Sequence, residues 1–371
     1  MNLNNNQRAF FELLRAGLWE KDARLSMFGT IDFKEVYQIA EEQSVVGLVA
    51  AGLEHVADVK VPQEVALLFA GRAMQLEQQN LAMNDFIAGL IEQLRTADIY
   101  ALLVKGQGIA QCYERPLWRS SGDVDLLLSE SDYKRTKTLL LPQAVIVEQE
   151  YSTFKHLGMT MKGGFVVELH GSLYTRLSKR IDNGIDTLQN DVFCNGNVRS
   201  WQNGNTQVFL PSEDIDVIFV FTHILHHYFI EGIGLRQICD WCRLLWTFRD
   251  KLDRKTLSLR LENMGLMSEW QAFAALAVDW LGMPAESKPL YSVSRRWSRK
   301  GDRIMDFVLE CGNFGHKRLK MRPKSFLGGK IVSAFRKMRD FGRHARVFPL
   351  DSVKFFFHFI GDGFRLASEQ K

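Results

Sequence analysis

The sequence predicts an α+β protein in which a short run of strands, about residues 98 to 210, is flanked on both sides by helices. Two observations carry this. Apolar residues recur at helical spacing before residue 98 and again after residue 211. Between them lie short β-type runs broken by the glycine turns Lys105-Gly106-Gln107-Gly108 and Lys162-Gly163-Gly164.

Asn5 to Leu18, Phe33 to Gln43 and Pro62 to Thr96 carry the helical period, with Pro62 well placed to begin the longest run. They form an N-terminal helical layer, residues 1–97. Ile99 to Val104 reads as a strand, and Ile109 to Tyr113 as the start of a helix after the glycine turn. Asp123 to Leu128 is a second strand, and Ser129 to Leu141 a helix capped by Ser129 or Ser131. Phe154 to Lys162 and Phe165 to His170 make a hairpin, and Gln207 to Leu210 closes the α/β unit, residues 98–210. From Pro211 a helix capped by Ser212 runs through Tyr228. Helices near Leu235 to Arg249, Arg254 to Met264 and Ser268 to Trp280 complete a helical part, residues 211–287, before a C-terminal tail, residues 288–371.

The chemistry concentrates in Ser121-Gly122-Asp123-Val124-Asp125-Leu126. Side chains at i and i+2 of a strand share a face, so Asp123 and Asp125 converge while Val124, Leu126 and Leu128 pack behind them. A pair alone is also ordinary turn chemistry. Two features weigh against that reading. Upstream, the order strand, glycine turn, helix start is a phosphate cradle, with Lys105 adding positive charge. Downstream, Glu168 lies on a strand able to neighbour the Asp-x-Asp strand. Three carboxylates beside a triphosphate can hold two magnesium ions, the arrangement used for nucleotidyl transfer.

The segments LLVKGQGIAQCYERPLWRSSGDVDLLL, VVELHGSL and PSEDIDVIFVFTHILHHYFIEGIGLRQICDW together resemble the uncharacterised nucleotidyltransferase family of bacterial polysaccharide and natural-product gene clusters, within the polymerase β-like superfamily. The resemblance covers roughly residues 35 to 315. It implies a mixed sheet with the acids on adjacent strands, plus N- and C-terminal helical parts. Residue by residue it implies Asp123, Asp125 and Glu168 as metal-binding acids, Lys105 and Gly106 at the nucleotide turn, and Arg119 as the basic residue before the acids; Gly108 belongs to the phosphate cradle read from the glycine turn itself. Gln107 departs from the superfamily's Gly-Ser or Gly-Gly turn and removes a hydroxyl; Ser121 is the candidate substitute.

His223, His226 and His227 fall on the helix after Ser212, with Arg236 and Asp240 on the next. His223 and His227 stand at i, i+4, which suits metal chelation, a substrate pocket, or burial with a hydrogen bond to Asp240. The resemblance favours the pocket, since the family carries a similar His and Asp pair. His170, two residues past Glu168, shares its strand face. Cys239 and Cys242 sit one helical turn apart with no second pair, so they read as core residues rather than as zinc or redox ligands.

Composition bounds the remainder. With 371 residues, 46% hydrophobic and 24% charged, the chain reads as an ordinary globular protein. No apolar run approaches the roughly 18 residues that span a bilayer, and five cysteines without framework spacing fit a reducing compartment, so a cytoplasmic location is expected. Charge is uneven: residues 288–371 hold 20 Lys and Arg against 7 Asp and Glu, a net of +13, so the preceding part carries −9. The tail includes Arg295 to Lys300, Lys317 to Lys324, Phe335 to Arg346 and the cluster Phe355 to Ile360. Basic residues interleaved with phenylalanines suit an anionic membrane surface more than nucleic acid, which would want aromatics spread along a groove; a solvated face of terminal helices is the alternative. The expectation is a nucleotidyltransferase using Mg2+, or Mn2+ in its place, to move a nucleoside monophosphate from an NTP to a small-molecule or cell-envelope precursor, cytoplasmic and peripheral at the inner face of the membrane. RNA or protein acceptors, and a degenerate nucleotide-binding member, are the alternatives.

Overall fold

The computed structural model describes residues 3–150, 155–313 and 326–369. Four helices come first: α1 (Asn5–Trp19), α2 (Phe33–Glu42), α3 (Val46–Glu54) and the long α4 (Gln63–Thr96), which begins after Pro62 as expected. The sequence reading missed α3. It packs tightly on α1, because a Cβ on Gly17 or Gly52 would fall within 2 Å of a carbonyl oxygen of the other helix.

The central sheet comprises β1 (Ala101–Val104), β2 (Asp123–Leu128), β3 (Ala144–Val147), β4 (His156–Met161) and β5 (Val166–His170), in the order β1-β2-β5-β4-β3. Only β2 and β5 run parallel; the other neighbours are antiparallel, so the sheet is mixed and the fold is α+β. A five-residue helix, α5 (Gly106–Ala110), follows β1, and α6 (Glu130–Leu140) follows β2. Ser129 caps α6 as expected, accepting a hydrogen bond from the Asp132 N–H. Next come α7 (Lys179–Asn195), absent from the sequence reading, and the separate hairpin β6 (Val198–Asn203) and β7 (Thr206–Pro211).

The helical part then runs α8 (Glu213–Ile230), α9 (Leu235–Thr247), α10 (Arg254–Met264), α11 (Met267–Asp279) and α12 (Arg295–Cys311). Ser212 precedes α8, but its side chain makes no capping bond, contrary to expectation. Two further helices span Phe326–Val347 and Pro349–Glu369.

The alternation of β2 divides the core. Val124, Leu126 and Leu128 face one apolar cluster with Val167, Leu169, α4 and α6. Leu127, on the same face as Asp123 and Asp125, joins a second cluster built from α1–α3 and the helices from α7 onward. The acids therefore lie where the sheet meets the helical layers.

In the tail, Phe348 and Phe355 pack against Phe229 of α8, with ring centroids 6.1 and 4.9 Å away. Both are buried, which takes Phe355 out of the interfacial face expected for the cluster Phe355 to Ile360. Leu350, Val353 and Phe357 do form an exposed apolar stripe at i, i+3 and i+7. The basic run Lys317 to Lys324 lies outside the described residues. Among the described residues, no helix is long and apolar enough to cross a membrane.

Candidate active site

A cavity of about 550 Å³ opens between the sheet face and helices α8 and α9. Asp123, Asp125, Glu168, Lys105 and Gly106 line it, as do His156, His170, His223, His227, Arg119, Arg236 and Asp240. The sheet register brings the acids together. Asp125 stands directly opposite Glu168 on the parallel strands β2 and β5, and Asp123 is two residues earlier on the same face.

Around these acids stand one lysine and two histidines. Lys105 Nζ lies 2.9 Å from Asp125 Oδ1, and His170 Nε2 lies 2.8 Å from the same oxygen. His156 and His170, opposite one another on β4 and β5, approach Glu168 Oε2 at 3.2 and 3.4 Å. Burial pushes the Glu168 carboxyl upward, but hydrogen bonding to His156 and His170 outweighs it and holds this group far below the usual carboxylate range. For Asp125, burial is again opposed, by Lys105 and then His170, and the net direction is downward. Asp123 goes the other way: the Asp125 charge, then burial, then Glu168 raise it. Lys105 loses to burial but gains more from Asp125 and Glu168, so its ammonium is stabilised. Its backbone is strained, with φ +59° at a non-glycine residue where β1 turns into α5.

Other expected residues sit elsewhere. Gly108 lies off the cavity, where a Cβ would meet Leu210 Cδ2 at 2.6 Å, so it serves close packing against β7. The helix expected from Ile109 begins at Gly106 and ends at Ala110, too short to present an N-terminal anion site. Gln107 turns into the protein and donates to Asn80 Oδ1 at 2.6 Å, and the Ser121 hydroxyl bonds the same oxygen. Asn80 in turn donates to the carbonyls of Leu117 and Arg119, at 2.6 and 2.8 Å. This wholly buried residue on α4 ties the glycine turn to the loop before the acids.

Arg119 donates twice to Asp240, Nε to Oδ1 and Nη2 to Oδ2, both at 2.7 Å, and the Tyr113 hydroxyl donates to Oδ1 at 2.7 Å. Asp240 thus holds Arg119 and Tyr113 rather than a histidine. Arg236 donates to the Ser120 carbonyl at 3.0 Å on the cavity wall. The α8 histidines form their own chain: His223 and His227 face each other Nε2 to Nε2 at 3.0 Å, and His227 Nδ1 lies 2.9 Å from Glu231. Burial pushes His223 well down and His226 down to about 4, so both imidazoles are neutral at pH 7. Cys239 and Cys242 are buried core residues.

His156, Asn80, Tyr113 and Glu231 were not anticipated. Counting outward from the three-residue turn Lys162-Gly163-Gly164 pairs His156 with His170, so that residue had a local signal. Asn80 had none, since its partners lie 27 to 41 residues away.

Residues 29–282 match a family model described as an uncharacterised nucleotidyltransferase. The chain belongs to this nucleotidyltransferase family. The match takes in the whole cavity and stops short of α12 and the two last helices. A solved structure, an antigenic nucleotidyltransferase-like protein from Paracoccidioides brasiliensis, is similar at 15% identity over 57% of this chain and 94% of that chain, with a TM-score of 0.34. No curated protein matches.

Proposed function

We propose that this family member is a metal-dependent nucleotidyltransferase that moves a nucleoside monophosphate from an NTP to a small-molecule or cell-envelope precursor acceptor. The observation that carries the reading is the in-register pair Asp125 and Glu168, with Asp123 on the same face and Lys105 beside them. The acids fit divalent cations: Asp123 is raised first by the charge of Asp125, a repulsion that a cation relieves. Asp123 and Asp125 would hold two ions, and Glu168 one. When bound, such ions supply Lewis-acid stabilisation of the phosphoryl oxygens and of the leaving pyrophosphate.

The chain's own groups divide the remaining work. Lys105 and Arg236 supply cavity cations for the triphosphate, whereas the Arg119 fork is committed to Asp240 and acts by positioning the loop before Asp123. Neutral His223 and His226 line the α8 side, where an acceptor hydroxyl would stand. A cavity of about 550 Å³ suits a small acceptor better than RNA or protein.

The test is incubation of the purified protein with each NTP, a divalent metal and candidate acceptors, reading pyrophosphate release and labelled product. The inward turn of Gln107 favours one second reading, a protein that binds nucleotide without turnover. Calorimetry would then give NTP binding with no pyrophosphate from any acceptor. For the tail we propose peripheral contact with an anionic membrane through the Leu350, Val353 and Phe357 stripe and its basic surroundings.

A further inference from the structure

Four metal-competent side chains share one face across three strands. His156 on β4 is opposite His170 on β5; Glu168 precedes His170 by two residues; Asp125 on β2 is opposite Glu168. One oxygen, Glu168 Oε2, is approached by both imidazole Nε2 atoms, at 3.2 and 3.4 Å, and His170 Nε2 is 2.8 Å from Asp125 Oδ1. Ligands about 2.0–2.2 Å from a common ion at octahedral to tetrahedral angles stand roughly 2.8–3.6 Å from one another. The three contacts fall within that range, which hydrogen bonds share. His156, Glu168 and His170 offer ligand atoms that all lie within 4.8 Å of one another.

The donor chemistry selects the ion. Magnesium takes hard oxygen ligands and keeps its waters, whereas imidazole nitrogen suits first-row transition ions. Two imidazoles beside two carboxylates make a set poorly matched to Mg2+ and better matched to Co2+ or Zn2+, with Mn2+ the hardest first-row ion it would accept. We infer that the seat beside Glu168 is a mixed imidazole–carboxylate site for a divalent first-row transition ion, with His156 Nε2, His170 Nε2 and Glu168 as ligands and Asp125 bordering it through His170. The inference rests on the proposed metal-dependent reading in sharing its acids, but it assigns two histidines and a metal class to them. Asp123, two residues before Asp125, is left for an all-oxygen second ion.

The experiment uses the full-length protein, stripped with chelator and titrated with Mn2+. Pulsed electron paramagnetic resonance then reads nitrogen coupling to the bound ion. The expected result is 14N coupling from directly bound imidazole, reduced in His156→Gln and absent in the His156→Gln/His170→Gln double variant. Mg2+ should displace this Mn2+ only at an excess of at least tenfold. Mn2+ that binds without 14N coupling, or coupling that persists in the double variant, overturns the assignment; so does failure of the wild-type chain to bind Mn2+. The wild-type spectrum decides even where a variant does not fold. Pyrophosphate release, followed separately with Mg2+ and with Mn2+, keeps the two readings apart. Turnover with Mg2+ and no 14N coupling sinks the transition-metal seat alone. Coupling without turnover under any metal sinks the transferase reading alone.

Discussion

The Arg119 guanidinium and the Asp240 carboxylate meet through two parallel hydrogen bonds of 2.7 Å, joining positions 121 residues apart, with both side chains buried. The pair fastens the loop before Asp123 to α9, and so couples the sheet to the helical part. A buried fork of this kind is costly to break, because the remaining charge is left unpaired in low dielectric.

Asp240→Ala is accordingly expected to destabilise the fold by about 3–5 kcal/mol in urea titrations. The double variant Arg119→Met/Asp240→Leu should recover most of that loss, since it removes both charges. A single variant as stable as wild type would mean that the pair contributes nothing to the fold.

Asp125→Asn and Asp123→Asn should both reduce pyrophosphate release by at least about 1000-fold, as expected if several kcal/mol of charge stabilisation are lost. Their stabilities should differ. Asp125→Asn deprives Lys105 of the charge on its 2.9 Å partner and lowers the melting temperature, whereas Asp123→Asn relieves repulsion and leaves it unchanged or higher. Turnover that survives in either variant rules out this site.

Acid should weaken the α8 end of the cavity. The folded pKa of His226 is pushed from the ordinary 6.5 down to about 4 by burial, so between these values the unfolded chain binds the extra proton. Its contribution to stability falls as pH drops through that window, on the order of 3 kcal/mol in full. His170, raised by its bonds to Asp125 and Glu168 against burial, acts oppositely: it stabilises at low pH and the gain is lost as pH rises through its folded pKa. The clean readout is a difference. Urea midpoints for wild type and His226→Gln should converge on acidification from pH 6.5 to 4, and parallel curves would refute the shift.

Asn80→Ala should cost about 2–4 kcal/mol, because Gln107, Ser121 and the carbonyls of Leu117 and Arg119 lose partners together. Activity should fall with stability, since the same bonds hold the turn after Lys105 and the loop before Asp123. A thermal melt and a pyrophosphate assay on one preparation check both.

The membrane proposal predicts that Leu350→Ser/Val353→Ser/Phe357→Ser weakens sedimentation with acidic liposomes while the fold and turnover of a soluble acceptor persist. Binding should also fall with salt. Truncation before Phe348 is a poor test, because it removes Phe348 and Phe355 from the core and is expected to unfold the helical part.

By itself the sequence determined the α+β class, the hairpin around Gly163-Gly164, the common face of Asp123 and Asp125, and the paired core cysteines, since each follows from a local period or turn within a few residues. It also carried the family, through the residues around Lys105, Asp123 and Glu168. Tertiary structure alone decided which cation meets which acid. The Arg119 fork faces Asp240 instead of the nucleotide turn, Gln107 and Ser121 turn to Asn80, and Phe348 and Phe355 enter the core. Those choices depend on contacts between segments tens to more than a hundred residues apart. A long polar or aromatic side chain takes whichever partner the packed helices bring to it, and no local spacing encodes that partner.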